Sequence, residues 1–464
     1  MSDPIAALAA IADPAWLVGG AVRDRLLGRA TTDYDVVVAD GAEAVARALG
    51  RAAGGFAFEL SEAFGTWRVV AHDRTWHVDL LALDGETIEE DLSRRDLTVN
   101  AIARALASGD HIDPFGGLAD LRARRLRMVS PDAFRRDPLR TLRLSRLACE
   151  LDFSVAADTL GAARASAPAL AAVATERVFS ELRRIVCSDR ALDGLTLMDE
   201  TGATEVVLPE LDALRGVVQS RFHHLDVFDH TRAVLGQTIA LEHDPAPVCE
   251  SPGQADALRA LLSAPLANEM TRGQALRFGA LLHDIAKPDT RSVTAQGRIT
   301  FMGHDEAGAE LGSAILRRLR ASDRLREYVS ALTRNHLRLG FLVHRMPLGR
   351  REVYDYLHVC SPVAVEVTLL SVADRLATRG DDSELAIAKH LELARQLMGE
   401  ALAWVADPPR PPVRGDELAR ALGIEPGPMV GGLLAELEAE SFSGELITRE
   451  QAIERARQLI DQHG

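Results

Sequence analysis

The alternation of apolar and polar residues predicts a small sheet with helices near the start of the chain. Leu17 and Val18 lead into Gly19-Gly20, and the following AVRDRLLG has the spacing of a helix. The segment 33–38, DYDVVV, has the composition of a strand. The same pattern predicts a short helix within 1–15, a helix over 42–49, and strands over 56–60, 67–71 and 77–83. We expect these strands to form one mixed sheet.

Two acidic residues share a face of the predicted strand 33–38. Side chains two residues apart on a strand point the same way, so Asp33 and Asp35 should lie side by side. Two such carboxylates repel each other unless a cation lies between them, and oxygen ligands suit Mg²⁺. The preceding glycine pair lets the backbone approach a phosphate. An isolated Asp-x-Asp is usually a solvated strand end, but together these features favour nucleotidyl transfer with paired metal ions.

A third carboxylate, Asp79, lies between apolar neighbours on the predicted strand 77–83. It fits the third acid of such a site, and it fits equally well an outward-facing residue of a strand. Both interpretations stay open on the sequence alone.

Length and composition favour a cytoplasmic protein of several domains. A chain of 464 residues is too long for one core, so two to four domains are expected. No run of about 18 apolar residues predicts a membrane span, and the N-terminus lacks the basic and apolar regions of a secretion signal. The cysteines have no C-x-x-C spacing, which is typical of reduced thiols: Cys149, Cys187, Cys249 and Cys360.

The net charge of −15 by itself argues against a nucleic-acid partner. A local reversal changes that picture, because arginines crowd one segment of the chain: Arg122, Arg124, Arg125, Arg127, Arg135, Arg136, Arg140, Arg143 and Arg146. Positive charge gathered in one place can bind a polyanion.

A polar cluster precedes this basic segment. Arg94, Arg95 and Asp96 precede an apolar run (Val99, Ile102, Ala103, Leu106) that has helical spacing. Guanidinium groups there suit triphosphate oxygens, and Asn100 suits a sugar hydroxyl.

Farther along the chain, FRRDPLR places Asp137 and Arg140 three apart, on one face of a predicted helix. They could form an ion pair within that helix or recognise a ligand.

The combined pattern resembles the class II tRNA nucleotidyltransferase and bacterial poly(A) polymerase family. The matching segments are GG-x-x-RD before D-x-D, RRD-L-T-V-NA over 94–101, DPFGG over 113–117, D-x-x-R over 137–140, and ERVFSEL over 176–182. Leu97 replaces an aromatic residue of the family motif, and Arg136 stands where the family usually has Glu. The resemblance covers nearly the whole chain.

This resemblance implies specific roles for the residues. Asp33, Asp35 and Asp79 would be catalytic, with two Mg²⁺ ions on Asp33 and Asp35. The implied nucleotide-binding residues are Gly19, Gly20, Arg23, Asp24, Arg94, Arg95, Asp96, Asn100, Asp137, Arg140 and Arg143. The Asp137 carboxylate would accept from an exocyclic amine of the base and Arg140 would donate to ring acceptors. The implied partners are the acceptor end of tRNA and CTP, with ATP as a further substrate if a terminal adenosine is added.

Histidines dominate the chemistry of the second half of the chain. An array of His and Asp residues resembles the H…HD…D signature of HD-domain phosphohydrolases, with two additional histidines that can hold a second ion: His230, His283, Asp284, His304, His336 and Asp374. Such ligands suit Ni²⁺, Mn²⁺, Co²⁺ or Fe²⁺. Some family members have phosphatase activity here and others have lost the ligands. The segment 242–270 between them has the composition of an insertion or long loop.

A short connection bears on the product. Members that add CCA usually carry a long flexible loop after the strand equivalent to 77–83, whereas here only six residues join Leu83 to Glu90. Members without that loop resemble enzymes that add only two cytidines. A mobile segment would help the nucleotide pocket switch from CTP to ATP. The shortness of the connection after 77–83 therefore favours CC addition.

We therefore predict an α+β, polymerase-β-like head followed by all-α neck, HD and tail domains. The predicted boundaries are 1–121, 122–215, 216–400 and 401–464. The predicted function is addition of CC, or of CCA, to tRNA. Three alternatives stay open: a poly(A) polymerase of the same family, an HD phosphohydrolase with a non-catalytic head, and a purely structural RNA-binding protein. The sequence does not predict an oligomeric state.

Overall fold

A computed structural model describes residues 3–61, 65–220, 223–379, 383–445 and 448–463. The chain forms two compact units, Met1–Val207 and Leu208–Gly464.

The first unit is built on a seven-stranded mixed sheet. Its strands, in chain order, are β1 (Ala15–Val18), β2 (Asp33–Val38), β3 (Gly55–Ser61), β4 (Thr66–Ala71), β5 (His77–Ala82), β6 (Ala103–Ala105) and β7 (His111–Ile112). They lie in the order β3-β4-β5-β2-β1-β6-β7. The pair β2–β5 is parallel and the other neighbours are antiparallel. The predicted mixed sheet is confirmed.

The two faces of this sheet are covered differently. One face bears the main core of the unit, into which β2 and β5 send Val36, Val38, Val78 and Leu80. Val18 and Val37 lie on the opposite face in a smaller cluster with Ile88 and Leu92. Because side chains alternate along a strand, Asp33 and Asp35 share this second face with Val37.

Eleven helices complete the described part of the first unit, with a short ribbon of β8 (Arg125–Leu126) and β9 (Ser154–Val155). The helices are α1 (Pro4–Ile11), α2 (Gly20–Leu26), α3 (Ala42–Ala53), α4 (Ile88–Ser93), α5 (Gly117–Arg122), α6 (Ala133–Arg136), α7 (Arg140–Leu151), α8 (Ala157–Ser166), α9 (Thr175–Cys187), α10 (Ala191–Thr201) and α11 (Ala203–Val207).

The helix predicted over 99–106 is wrong. A 3₁₀ turn at Thr98–Asn100 leads directly into β6, where Ala103 pairs with Val18 of β1. Val99, Ile102 and Ala103 are fully buried, and Leu106 is nearly so. A short apolar run that is buried on all sides has no distinguishing period, and pairing with the sheet decides its conformation.

The common helix predicted for Asp137 and Arg140 is also wrong. Helix α7 begins at Arg140, and Asp137 has extended backbone angles (φ −145°, ψ 100°). Pro138 disfavours helical angles in the residue before it, which explains the break. The Asp137 carboxylate accepts from the Leu139 amide (3.2 Å) and pairs with Arg177 (2.8 Å) instead.

The second unit is largely helical. Its helices are α12 (Pro209–Asp212), α13 (Val227–His243), α14 (Pro252–Ser263), α15 (Arg272–Leu282), α16 (Lys287–Thr290), α17 (His304–Arg318), α18 (Asp323–Asn335), α19 (Arg338–Leu342), α20 (Arg350–Cys360), α21 (Ala364–Ala377), α22 (Ser383–Ala406), α23 (Gly415–Leu422), α24 (Pro428–Phe442) and α25 (Arg449–His463). Its two hairpins are β10 (Pro265–Ala267) with β11 (Met270–Thr271), and β12 (Ser292–Val293) with β13 (Ile299–Thr300).

The segment 242–270 is not the long loop that was one of its two predicted alternatives; the other, an insertion, stays a prediction. It contains α14 and the β10–β11 hairpin. Ser251 caps α14 by accepting from the Gln254 amide, and Pro252 suits the first helical position. Ala255, Leu258 and Leu262 bury one face of the helix, a pattern that its many small residues obscure in the sequence.

The final helices α23, α24 and α25, within the predicted all-α tail, pack around their own apolar cluster. The predicted boundary after residue 400 lies inside α22, which continues to Ala406 before the proline-rich segment 407–412. The other domain boundaries stay predictions. Among the described helices none alone is long and apolar enough to cross a membrane; only α20 and α21, bent by 97°, satisfy that test as a pair.

We expect Asp120→Ala to lower the free energy of unfolding by about 2–4 kcal/mol. The Asp120 side chain is fully buried and accepts from Thr98 (2.7 Å), Arg125 (2.6 Å) and Arg127 (2.9 Å). Urea unfolding followed by tryptophan fluorescence measures this, since Trp16, Trp67 and Trp76 all lie in the first unit.

Asp132→Ala is the control for this prediction. Asp132 forms only an exposed pair with Arg135, so a change below about 0.5 kcal/mol is expected. The pKa of Asp120 lies below its usual range; burial opposes this shift, but bonds from Thr98, Arg125 and Arg127 outweigh it. The stabilisation is therefore present above a pH of about 4. The difference in the free energy of unfolding between wild type and Asp120→Ala should narrow as the pH falls below that value. Equal stability of both variants at pH 7 would contradict the assignment.

Candidate functional site

The parallel register of β2 and β5 brings the predicted acids together. Asp35 lies directly opposite Asp79, and Asp33 lies opposite His77, whose Nε2 is 2.7 Å from Asp33 Oδ1. All four side chains are therefore on one face of the sheet, which we call the carboxylate face. Asp33 is exposed and Asp35 half-buried, so this face is open to a ligand beside the acids.

The electrostatics of Asp35 fit a divalent cation. Burial raises the pKa of Asp35, and the neighbouring charges of Asp33 and Asp79 raise it further, while Arg95 and Arg143 lower it in part. A second negative charge beside a half-buried carboxylate is unfavourable without a counter-ion. The oxygen-only donor set matches the ligands that Mg²⁺ prefers.

Gly19 brings backbone against this carboxylate pair. It has a positive φ of 68°, and a Cβ at this position would lie 3.1 Å from Arg95 Nη1 and 3.3 Å from Asp35 Oδ2. Glycine avoids both the strained conformation and the crowding. Gly20 follows as the first residue of α2.

Asp79 is on the carboxylate face, and both of its oxygens are engaged. Arg68 of β4 binds it in a bidentate pair, with Nε and Nη2 at 2.6 and 2.7 Å from the two oxygens. The sequence analysis missed Arg68 because it lies on another strand, inside an otherwise apolar segment. The antiparallel register of β4 and β5 pairs Arg68 with Asp79, and the sequence does not show that register.

Several predicted nucleotide-binding residues form a buried polar network behind the site. Arg23 binds Asp24 (2.9 Å) and donates to Asn100 Oδ1 (2.7 Å); Asn100 donates to Asp96 Oδ1 (3.0 Å), and Arg143 lies 2.5 Å from Asp96 Oδ2. Burial alone would raise the pKa of Asp96, but Arg143 and Asn100 outweigh it and hold the pKa at about 2. Asp96 is therefore a permanent anion that fixes Arg143 and Asn100.

A cavity of about 170 Å³ adjoins this network. Its lining combines six predicted nucleotide-binding residues with two others: Arg95, Asp96, Asn100, Asp137, Arg140 and Arg143, with Leu139 and Arg177. Arg140 is held in place by donating to the carbonyls of Arg94 (2.8 Å) and Arg95 (3.2 Å). Arg94 does not line the cavity, and its own guanidinium pairs with Asp84. Arg177, which the sequence analysis did not assign to this site, pairs with Asp137 (2.8 Å).

Most of the crowded arginines have acidic partners within the first unit. The pairs are Arg124–Asp152, Arg125–Asp120, Arg127–Asp120, Arg135–Asp132, Arg143–Asp96, and Arg146 with Glu150 and Glu181. Several of these acids lie outside the arginine-rich segment, which is why the sequence shows it as strongly basic. Binding of RNA phosphates by these arginines stays a prediction.

The six predicted His and Asp residues of the second unit converge on one cluster, which we call the HD cluster. His230 is on α13, His283-Asp284 follow α15 rather than lying within it, His304 opens α17, His336 follows α18, and Asp374 is on α21. Asp284 is at the centre, with Oδ2 3.1 Å from His283 Nε2 and 3.7 Å from His230 Nε2. Its Oδ1 is 3.3 Å from His304 Nε2 and 3.8 Å from His336 Nε2.

These groups form two overlapping sets of metal ligands that share Asp284. One set contains His230 and His283, and the other His304 and His336. Asp374 Oδ1 is 3.0 Å from His230 Nε2. The arrangement agrees with the prediction that the two additional histidines can hold a second ion.

The surroundings of the HD cluster prepare it for cations. Nδ1 of His283, His304 and His336 is 2.6–2.8 Å from a backbone carbonyl, which directs each Nε2 into the cluster, where those of His304 and His336 lie 3.3 Å apart. His230 Nε2, His283 Nε2 and Asp284 Oδ2 are buried and make no hydrogen bond of acceptable geometry with the described residues. Burial lowers the pKa of His336 to about 4, so its imidazole is neutral at physiological pH. Burial alone would lower the pKa of His283 as well, but the adjacent Asp284 carboxylate raises it. Imidazoles and a carboxylate are ligands that suit a transition metal.

The sequence analysis missed Lys287 and His223 near the HD cluster. Lys287 Nζ is 2.6 Å from Asp284 Oδ2 and 2.7 Å from Gln219 Oε1, and it is buried. The spacing of Asp284 and Lys287, three apart after the same helix, is a signal that could have identified it. His223 packs edge-to-face on His230, with 5.1 Å between ring centroids.

Family models match three successive parts of the chain. The model described as "Poly A polymerase head domain" matches residues 15–127. The model described as "Probable RNA and SrmB- binding site of polymerase A" matches residues 152–215, and the model described as "HD domain" matches residues 227–379. The first two fall in the unit with the carboxylate face, except for the last few residues of the second match, and the third spans the HD cluster.

Relatives of similar identity differ in the nucleotides that their names specify. An A-adding tRNA nucleotidyltransferase of Deinococcus radiodurans is 37% identical over 444 residues, covering 94% of this chain and 93% of the relative. A CC-adding tRNA nucleotidyltransferase of Thermus thermophilus is 35% identical over 447 residues, covering 94% and 92%. A multifunctional CCA protein of Xanthomonas campestris is 34% identical over 443 residues, covering 90% and 96%.

Solved structures share the fold. A Thermotoga maritima CCA-adding enzyme complexed with tRNA has a TM-score of 0.62 and 19% identity, covering 98% of this chain and 94% of the other. A CCA-adding enzyme complexed with ATP has a TM-score of 0.65 and 19% identity, covering 99% and 96%. A tRNA-processing enzyme with CTP has a TM-score of 0.60 and 22% identity, covering 93% and 97%.

Relatives at 34–37% identity that align over at least 90% of this chain, together with the carboxylate face, the lined cavity and the HD cluster, lead to one conclusion. This chain belongs to the class II CCA-adding tRNA nucleotidyltransferase family, with a poly(A) polymerase head, an RNA-binding region and an HD domain, and is a tRNA nucleotidyltransferase.

Proposed function

We propose that this enzyme adds two cytidines to the 3′ end of tRNA, using CTP. The observation that carries the proposal is the short connection between β5 and α4. In sequence, this connection lies close to residues that line the cavity. It comprises residues 83–87 and is held by contacts at both ends. Asp84 pairs with Arg94, and the Glu86 amide donates to Glu90 Oε2 (2.7 Å). A segment so short and so anchored lacks the mobility that a switch from CTP to ATP would use.

The carboxylate face supplies the centre of the proposed reaction. The 3′-hydroxyl oxygen of the RNA attacks the α-phosphorus of CTP, and pyrophosphate leaves. Asp33 and Asp35 would hold two Mg²⁺ ions, which in such sites lower the pKa of the attacking hydroxyl and stabilise charge on the phosphate. Arg68 orients Asp79 on the same face, and Gly19 leaves room for the phosphates beside Asp35.

The lined cavity is the proposed site of the base and triphosphate. Arg95 and Arg143 supply positive charge for phosphate oxygens. The carboxylate of Asp137 would accept from the N4 amine of cytosine, and the guanidinium of Arg140 would donate to the ring acceptors. Arg177 and the Leu139 amide fix the Asp137 carboxylate, so the template is rigid before the nucleotide binds. Solved relatives in complex with tRNA, CTP and ATP support these ligand classes.

We further propose that the HD cluster binds a transition metal such as Ni²⁺, Mn²⁺, Co²⁺ or Fe²⁺ and hydrolyses phosphate esters. Its buried ligand atoms without hydrogen bonds support the first part. Lys287, 2.6 Å from Asp284, offers a cation to a phosphate oxygen and supports the second.

Two other products stand as alternatives. The A-adding relative, at 37% identity, makes terminal adenosine addition to a tRNA ending in CC the second candidate. A poly(A) polymerase would instead extend an RNA repeatedly from ATP. An HD phosphohydrolase with a non-catalytic head is disfavoured by the in-register acids and by the lined cavity.

We expect a transcript ending just before CCA to gain two nucleotides when CTP and ATP are both present. The short connection should prevent the switch to ATP, so a transcript already ending in CC should not be extended. Denaturing gels with labelled nucleotides resolve these lengths. Efficient addition of a terminal adenosine to either transcript would contradict CC specificity, and long products from ATP alone would indicate a poly(A) polymerase.

We expect Asp35→Asn to lower the rate of CMP incorporation at least a hundredfold, because it removes a charge at the reacting phosphate without changing shape. RNA binding, measured by filter retention, should persist. Asp40→Asn is the matched control, since Asp40 follows the same strand but is exposed and only caps Gly41. Equal activity of Asp35→Asn and Asp40→Asn would refute the proposed centre.

We expect protein purified without chelators to contain a transition metal, and His336→Asn to lower that content because it removes one ligand of the HD cluster. Mass spectrometry of the elements measures the metal per chain. His358→Asn is the control, since His358 is exposed and stacks on Tyr354 rather than lining the cluster. His336→Asn should also lose hydrolysis of a 2′,3′-cyclic phosphate. Metal absent from wild type, both as purified and after reconstitution, would eliminate this part of the proposal.

A further inference from the structure

The carboxylate face continues beyond the acids to two exposed phenylalanines on the edge strand β3. Strand pairing aligns residues of β2, β5, β4 and β3 in two rows on this face. The rows are Asp35–Asp79–Arg68–Phe58 and Asp33–His77–Val70–Phe56. Because directly paired residues of neighbouring strands point to the same side, both aromatic rings share a face with the acids.

The rings are not part of the core. Val69, Val78 and Ala57 send their side chains to the opposite face, into the main core or against it. Phe56 is 64% exposed and Phe58 is 45% exposed. Phe56 makes an edge-to-face contact with His72, with 4.2 Å between ring centroids, which orients its ring. Two neighbouring exposed aromatic rings on one face of a sheet form an apolar patch, which is typical of a surface that binds a ligand.

The proposed position of the triphosphate indicates which ligand lies over these rings. Gly19 directly follows β1, and Gly19 and Arg95 adjoin Asp35 from that side. Strand β5 and Asp79 flank β2 on the other side. In an in-line displacement the attacking hydroxyl and the leaving pyrophosphate lie on opposite sides of the phosphorus. When the triphosphate lies on the Gly19 side of Asp35, the RNA 3′ end therefore lies on the other side, over β5, β4 and β3.

The distance suits the last unpaired nucleotides of an RNA. Phe58 is three strand spacings from Asp35, or about 14 Å. A base one or two nucleotides before the reacting 3′ end can span that distance. Aromatic side chains stack on any base, which suits an enzyme that accepts tRNAs of different sequence.

We propose that Phe58, with Phe56, is a stacking platform for the unpaired bases at the 3′ end of the tRNA primer. The proposal rests on the proposed function, since it needs a primer hydroxyl at Asp33 and Asp35. Phe58 acts as a positioning residue: it holds the RNA and touches neither CTP nor the reacting atoms. An exposed edge strand can also pair with a second copy of the chain, which is the competing occupant.

The test compares Phe58→Thr with Phe58→Trp in the full-length enzyme. Threonine retains the preference for a strand but removes the ring, and tryptophan retains stacking. We expect Phe58→Thr to raise the KM for a transcript ending before CCA about tenfold or more, with the KM for CTP unchanged. Phe58→Trp should behave as wild type. Phe341→Thr is the matched control, because Phe341 is 67% exposed on α19 in the second unit.

A second measurement separates this proposal from the proposed function. A transcript with 2-aminopurine as the base just before its last nucleotide should lose fluorescence on binding wild type and Phe58→Trp, but not Phe58→Thr, without any CTP. Such quenching without CMP incorporation by wild type would support the platform and refute CC addition. If Phe58→Thr has the wild-type KM for the transcript and quenches 2-aminopurine as wild type does, the platform is overturned. A wild-type dimer that Phe58→Thr dissociates, with kinetics unchanged, would assign the surface to a second copy.

Discussion

The parallel pairing of β2 with β5 is the interaction on which the carboxylate face depends. It places Asp35 opposite Asp79 and Asp33 opposite His77. A slip of one residue would turn every side chain of β2 to the other face, which would bury the acids and expose the valines. Val36 and Val38 on β2 and Val78 and Leu80 on β5 prevent that slip, because they fill the main core on the opposite side. The hydrophobic core therefore determines the geometry of the carboxylates.

Buried ion pairs extend this control to the lined cavity. Asp96 carries a low pKa and holds Arg143 and Asn100, while Asp120 ties two arginines to the 3₁₀ turn through Thr98. Each such pair is costly to break, because a charge would be left buried and unpaired. The arginine-rich segment thus serves the architecture of the first unit as much as its electrostatics, which reconciles it with the acidic net charge of the whole chain.

The two candidate metal sites use opposite designs. The carboxylate face takes hard oxygen ligands from neighbouring strands and stays open to a substrate. The HD cluster takes imidazoles from the ends of helices, where His283 and His336 follow α15 and α18, and buries them. Backbone carbonyls at those helix ends accept from Nδ1 and so direct Nε2 towards Asp284. The first design suits reversible binding of Mg²⁺ with a nucleotide, and the second suits a resident transition metal.

The sequence by itself determined the parts of this protein that depend on local spacing. Alternation within DYDVVV placed Asp33 and Asp35 on one face, and the His and Asp motifs pointed to six residues that the fold brings together. Only the tertiary structure decided which distant groups pair. Arg68 with Asp79 and Arg177 with Asp137 are 11 and 40 residues apart, and no local pattern encodes such partners. Within the run 99–106, residues 103–105 form a strand because β1 offers an edge to pair with, and the sequence alone does not show that pairing.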